Sequence, residues 1–108
     1  MQINEYQKLA MTTLNKDIPQ DQLIVNAALG LSGEVGEVND LLKKHMFQGH
    51  ELSNDDVINE LGDIAWYLAE AATALKIDLE TIFIKNIEKL KKRYPQGFRT
   101  ELSINRKE

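Results

Sequence analysis

The sequence predicts an all-α fold, built as a bundle of four helices. Apolar residues recur three and four positions apart along four segments, which is the period of an amphipathic helix. Residues that cap or stop helices separate these segments, and no alternating strand pattern competes with them. At 108 residues the chain is long enough for a single core. We therefore expect one domain over residues 1–108, with its core at about 4–95 and a polar C-terminal tail at 96–108.

The first two helices are each expected to begin at a polar cap. Asn4 can cap a short first helix, which the segment around Pro19 breaks. Asp21 can cap a second helix from about residue 22 to residue 48, and Gly49 ends it. At 1.5 Å per residue this helix is about 40 Å long. It is therefore expected to extend well past the first.

The third and fourth helices have similar boundary signals. Ser53, with Asp56 three residues later, resembles a capping box at the start of a helix that runs to about residue 76. Asp78 can cap the fourth helix. That helix is expected to end before Pro95, because the residue preceding a proline disfavours the helical region.

Two pairs of acidic residues are the strongest functional signal. Glu34 and Glu37 lie three residues apart in the second helix, and Glu60 and Asp63 are spaced in the same way in the third. This spacing places both acids of a pair on one helix face. Four carboxylates brought together would repel one another unless a cation lay among them. The pairs therefore favour a site for a hard divalent cation, although a single pair of this kind is more often a solvated surface.

The neighbouring residues strengthen this interpretation. In the second helix an apolar stripe of Ala28, Leu31, Val35, Val38 and Leu42 is expected to face the core. The acidic stripe lies beside it, displaced by about 100°. Gly30, Gly33, Gly36 and Gly62 interrupt the helical segments, and each costs about 1 kcal/mol relative to alanine. Close approach of another backbone, or room for a metal, would compensate for that cost.

A second group of polar residues lies on the fourth helix. Asn86, Lys89 and Arg93 share one face, and an amide, an ammonium and a guanidinium together suit the binding of phosphate. Tyr67 continues the acidic stripe of the third helix. For Tyr67, a place in the core and a contact with a nucleobase or phosphate are equally consistent with the pattern.

Composition excludes several classes of function. The chain has no cysteine, which rules out disulfides, thiolate metal sites and cysteine nucleophiles. A net charge of −4 argues against binding of nucleic acid polymers through a broad basic surface. No apolar run approaches the roughly 20 residues of a membrane span, and the first residues lack the pattern of a signal peptide. We expect a cytoplasmic protein without membrane contact.

Three blocks of sequence resemble the MazG-like, all-α nucleoside triphosphate pyrophosphohydrolases. They are residues 30–37, which read GLSGEVGE, residues 60–68, which read ELGDIAWYL, and residues 86–98, which read NIEKLKKRYPQGF. The signature of that family is an ExxE pair followed, after a spacer, by ExxD. The resemblance covers approximately residues 4–98.

The resemblance implies hydrolysis of a nucleoside triphosphate, often a deoxynucleoside triphosphate, to the monophosphate and pyrophosphate. Magnesium would be held by Glu34, Glu37, Glu60 and Asp63, and all-oxygen ligands favour Mg²⁺ or Mn²⁺ over zinc. Glu37, or failing that Glu34, would act as the general base. Pyrophosphate would be bound by Lys89, Arg93 and Asn86, with Lys44 as a further contributor.

Two other functions remain open at this stage. A non-catalytic helical interaction module would use the acids only as solubilising charges, but it leaves the glycine pattern unexplained. A carboxylate-bridged di-iron protein is less favoured, because no histidine follows a candidate glutamate by three residues.

The helix lengths also predict an oligomer. Several apolar residues lie off the core stripes and would be left uncovered in a monomer; they are Ile24, Val25, Leu29, Met46, Phe47, Phe83 and Ile84. An exposed patch of this kind usually marks an interface. We expect a homodimer or homotetramer, with parts of each active site supplied across the interface.

Overall fold

The computed structural model describes residues 1–106, and this part of the chain is helical without any strand. The prediction of an all-α fold is therefore confirmed. The α-helices are α1 (Ile3–Ala10), α2 (Leu23–Gln48), α3 (Asn54–Ala74), α4 (Leu79–Arg93) and α5 (Thr100–Ile104). Short 3₁₀ turns at Met11–Thr13 and Gln20–Gln22 extend α1 and lead into α2. The sequence did not predict α5, which lies in the segment expected to be a polar tail.

The turn between α2 and α3 forms as the sequence predicts. Gly49 ends α2 in the left-handed conformation, with φ of 76°, which a residue without a Cβ adopts at little cost. The Ser53 hydroxyl accepts a hydrogen bond from the backbone N–H of Asp56 at 3.4 Å. These two residues define a short connection, so that α3 returns alongside α2.

Asn4 does not cap the first helix, and that prediction was wrong. Gln2 occupies the cap position, and its backbone N–H donates to Glu5 Oε1 at 3.2 Å. Asn4 lies inside α1, and its side-chain oxygen accepts from the backbone N–H of Glu80 at 3.3 Å. The residue thus helps to satisfy the start of a helix that is distant in sequence.

The first turn of α4 depends on α1 in a second way. Asp78 lies at the N-cap position as predicted, but its side chain makes no capping hydrogen bond. Instead, the side-chain oxygen of Gln7 from α1 accepts a hydrogen bond from the backbone N–H of Leu79 at 2.7 Å. The amide nitrogen of Gln7 donates to the carbonyl of Ile77 at 3.1 Å. These bonds fix α1 across the α3–α4 connection.

The best-packed part of the molecule lies where α1, α3 and α4 meet. Small residues allow the helices to approach closely, and the buried apolar group here consists of Ala10, Ala69, Ala72 and Leu79. Trp66 and Ile82 pack against this group. By contrast, α2 packs mainly against α3, and the two helices run in opposite directions.

The face of α2 that meets α3 differs from the prediction. Val35 and Leu42, which belong to the expected core stripe, are 44% and 41% exposed. Ala27 lies two helical turns before Glu34, and therefore on the acidic stripe, and it is fully buried. The reason is steric, because the small residues Ala27 and Gly30 let α3 approach on their side. The acidic stripe therefore faces α3 directly, whereas the sequence predicted that it would lie beside the apolar stripe that faces the core.

Much apolar surface is left open in a single chain. Leu29 and Phe47 are 70% and 76% exposed, and Ile58 and Leu61 on α3 are also exposed. The radius of gyration is 17.0 Å, whereas a compact domain of this length has a radius of about 13 Å. Among the described helices, none is both long and apolar enough to cross a membrane.

Candidate metal site between α2 and α3

Three of the four predicted acids converge where α2 and α3 pack together. Glu34 from α2 and Glu60 and Asp63 from α3 each offer a carboxylate oxygen, and these oxygens lie within 4.8 Å of one another. Glu34 and Glu60 are half-buried and Asp63 is exposed, so the group is open to solvent on one side. Oxygen donors at this spacing suit a hard cation such as Mg²⁺ or Mn²⁺.

The carboxylates of this group repel one another. A hydrogen bond with Glu34 raises the pKa of Glu60, and partial desolvation and the charges of Glu34, Asp63 and Asp56 act in the same direction. Without a cation, the repulsion lowers the stability of the folded chain as the pH rises through this raised pKa. A bound cation would replace the shared proton and remove the repulsion. The residues present therefore fit a divalent metal.

Glu37 occupies a different position from its three partners. It lies one turn beyond Glu34 on α2, is exposed, and does not belong to the group whose oxygens meet within 4.8 Å among residues 1–106. Its charge contributes to raising the pKa of Lys44, after the larger effect of Asp40. The structure thus separates Glu37 from the acids that converge.

A close contact between the two helices lies next to the acidic group. The ring of Tyr67 on α3 lies against the backbone of Gly30 on α2, in the space that a Cβ at residue 30 would fill. Glu34 follows Gly30 by one turn, and Asp63 precedes Tyr67 by one turn. The glycine therefore lets the helices approach closely enough for the acids to meet. Gly33, Gly36 and Gly62 have no neighbouring atom within 4 Å of such a Cβ, so close approach within this chain explains only Gly30.

The acids open into a cavity with an aromatic wall. It has a volume of about 380 Å³ and is lined by Thr13, Glu34, Asp63, Trp66 and Tyr67. The two rings meet edge to face, with centroids 5.0 Å apart. The arrangement places hard oxygen ligands beside a flat apolar surface.

Sequence reasoning missed three residues at this site. The indole N–H of Trp66 donates to the carbonyl of Ala10 and to Thr13 Oγ1, both at 2.9 Å, which brings Thr13 to the cavity. Burial, followed by the charge of Asp63, raises the pKa of Tyr6. The position of Trp66, three residues after Asp63, was a usable signal. No sequence signal pointed to Thr13 or Tyr6, because only tertiary packing brings α1 and the turn after it to this site.

The predicted phosphate-binding residues do not line this cavity in their own chain. Lys44 Nζ is paired with Asp40 at 2.8 Å. Asn86 and Lys89 are exposed on α4, and Arg93 lines a separate cavity of about 170 Å³ between the end of α4 and α5. The Arg93 guanidinium carbon lies 5.9 Å from the centroid of the Tyr94 ring. Within one chain, the lining of the cavity beside the acids therefore does not include these four side chains.

Comparison with known proteins identifies the family. The profile of the MazG nucleotide pyrophosphohydrolase domain matches residues 24–98, which is more than half of the chain. The chain belongs to this family. The matched region includes all four predicted acids and the whole of α4, and it excludes α1. The family resemblance stated from sequence is confirmed, and the description of the matching family is that of nucleotide pyrophosphohydrolases.

A phage protein is also similar to this MazG-family chain. It is the "Gene 37 protein" of Mycobacterium phage L5, which is 36% identical over 73 residues. The aligned part is 64% of this chain and 64% of the phage protein. The chain therefore matches less than two thirds of the length of that relative, whose name states no activity. No solved structure matches this chain significantly.

Proposed function

We propose that this chain is a metal-dependent nucleoside triphosphate pyrophosphohydrolase. It hydrolyses a nucleoside or deoxynucleoside triphosphate to the monophosphate and pyrophosphate. The observation that carries this proposal is the convergence of Glu34, Glu60 and Asp63 from two helices beside a cavity with an aromatic wall. Membership of the MazG family supports the class of reaction.

The three convergent acids would hold Mg²⁺, or Mn²⁺ in its place. When bound, such a cation supplies charge neutralisation at the phosphate oxygens and acidification of water. Four acids were predicted as ligands. The fourth, Glu37, lies one turn beyond Glu34 on α2 and outside the convergent group. A carboxylate close to the metal but not fully engaged by it is suited to accept a proton. This position supports Glu37 as the general base, with Glu34 as the second candidate.

The other residues of the site have separate roles in this proposal. Water adds to phosphorus, the anhydride bond between the α- and β-phosphates breaks, and pyrophosphate leaves. Glu37 takes the proton of the attacking water. The Tyr67 ring, held in place by Gly30, forms a wall against which a base or sugar packs. Lys89 and Arg93 offset the charge of the departing pyrophosphate, which Asn86 orients, and Lys44 adds positive charge near Glu37.

Pyrophosphate release from a panel of nucleotides tests this function. The unaltered chain should release pyrophosphate and the monophosphate from at least one nucleoside triphosphate when Mg²⁺ is present, and lose this activity in excess EDTA. Absence of release from canonical and modified nucleotides alike would contradict the proposal and favour a non-catalytic helical module. Bound iron with a visible absorption band would favour the di-iron alternative.

Lys89 and Arg93 do not line the cavity beside the acids in their own chain, which supports an oligomeric enzyme, either a homodimer or a homotetramer. Val35, Leu42, Ile58 and Leu61 leave apolar surface exposed around the acidic cluster, and a second copy of the chain can cover it. We propose that Lys89 and Arg93 of one copy serve the acids of another.

Mixing two inactive variants tests whether the site is shared between copies. Asp63→Asn and Arg93→Ala should each be inactive alone, but subunits exchanged between them should regain part of the wild-type activity. The reason is that one site in each mixed dimer then carries neither substitution. Light scattering at micromolar concentration should report a mass above that of one chain. A monomeric mass with full activity would exclude this arrangement.

A further inference from the structure

Three contacts cross between α2 and α3 in a regular order. They are the contacts of Asn26 with Glu70, Gly30 with Tyr67, and Glu34 with the α3 acids. Successive contacts are one helical turn apart, ascending along α2 and descending along α3. The pair Asn26 and Glu70 therefore lies two turns from the acidic cluster, on the same line of contact.

This pair is unusual for its burial. Glu70 has no exposed surface and is the one fully buried charged side chain among residues 1–106. The side-chain nitrogen of Asn26 donates to both carboxylate oxygens, at 3.0 Å and 2.9 Å. Burying a carboxylate is costly, and apolar residues of similar volume often stabilise such a position as well or better. Stability alone therefore does not explain the pair.

What a buried polar pair does supply is a preference for one register. If α2 slides against α3, the Glu70 carboxylate loses the hydrogen bonds from Asn26 while it remains buried, which is strongly unfavourable. A slip of one turn moves a residue by about 5.4 Å along the helix axis. That distance exceeds the 4.8 Å within which the carboxylate oxygens of Glu34, Glu60 and Asp63 meet.

We infer that Asn26 and Glu70 are positioning residues that set the register of α2 against α3 and thereby hold Glu34 opposite Glu60 and Asp63. This inference rests on the proposed function in one respect, namely that these three acids bind a divalent cation. Neither Asn26 nor Glu70 belongs to the group of acids that would hold the cation. Their effect on the metal passes through the alignment of the two helices.

The experiment measures Mn²⁺ binding by electron paramagnetic resonance and thermal unfolding by circular dichroism on the full chain. The double variant Asn26→Leu with Glu70→Leu should fold and unfold at a temperature no lower than the wild type, because both leucines are apolar. Its Kd for Mn²⁺ should nevertheless rise about tenfold, the scale seen when groups that orient metal ligands are removed. Glu70→Gln keeps an acceptor for the Asn26 amide, so its Kd should stay near the wild-type value. Asn39→Leu, an exposed position on α2, is the matched control and should leave Kd unchanged.

Should the double variant fail to fold, Asn26→Gln provides the same test. It keeps the amide donor but lengthens the side chain by one methylene, which displaces the helices, and its Kd for Mn²⁺ should also rise. A wild-type Kd in the folded double variant, or in Asn26→Gln when the double variant does not fold, would overturn the inference and leave the metal site intact. If the unaltered chain binds no Mn²⁺, the proposed function fails and this inference fails with it.

Discussion

Replacing Asp63 with asparagine is expected to reduce kcat/KM at least about a hundredfold, which is a loss of about 2.7 kcal/mol of transition-state stabilisation. The amide has nearly the same shape as the carboxylate but carries no charge, so the convergent group loses a third of its negative charge. Glu34→Gln and Glu60→Gln should behave in the same way. Steady-state release of pyrophosphate in the presence of Mg²⁺ measures the effect.

Two comparisons make this result specific. Asp55→Asn changes another acid at the start of the same helix, outside the convergent group, and should keep nearly all activity. Glu37→Gln should lose activity while retaining most of its affinity for Mn²⁺, because Glu37 lies outside the group that meets within 4.8 Å. Equal loss of Mn²⁺ binding in Glu37→Gln and Asp63→Asn would show that Glu37 is a metal ligand and not chiefly a base.

Replacing Gly30 with alanine is expected to destabilise the fold even though alanine is the better helix former. The added Cβ would overlap the Tyr67 ring, and such overpacking costs about 1–3 kcal/mol. The gain in helix propensity is only about 1 kcal/mol. The ring must therefore move, and the wall of the cavity moves with it. Urea unfolding should show a lower free energy of unfolding, and hydrolysis should fall in parallel.

Other positions supply the control for this prediction. Gly33 lies on the same helix, and a Cβ added there would have no atom within 4 Å, so Gly33→Ala should raise the free energy of unfolding by up to about 1 kcal/mol. In a chain that already carries Tyr67→Ala, the further change Gly30→Ala should lower the free energy of unfolding less than it does in the wild type. The reason is that the added Cβ then has no ring to overlap. Equal stabilisation by alanine at residues 30 and 33 would show that the contact with Tyr67 is unimportant.

Local signals in the sequence were sufficient for the helices and for the choice of the two acid pairs. Periodicity located α2, α3 and α4, and the end of α2 followed from Gly49, whose freedom to adopt positive φ depends on its own backbone. The acid pairs were recognisable because a spacing of three residues places both side chains on one helix face whatever the helix packs against. The convergence of Glu34, Glu60 and Asp63 then required only that two such faces meet.

Tertiary structure alone decided which faces meet and what completes the cavity. The apolar stripe of α2 is wider than its contact with α3, so hydrophobicity could not show that Ala27 and Gly30 would be enclosed while Val35 stayed exposed. Gln7 caps α4, which is not its own helix, because the unsatisfied N–H groups at a helix start can donate to any suitable acceptor nearby in space. Thr13 lines the cavity and accepts a hydrogen bond from the indole N–H of Trp66. The contacts of Gln7 with Leu79 and of Thr13 with Trp66 join residues more than fifty positions apart, and no local sequence pattern specifies them.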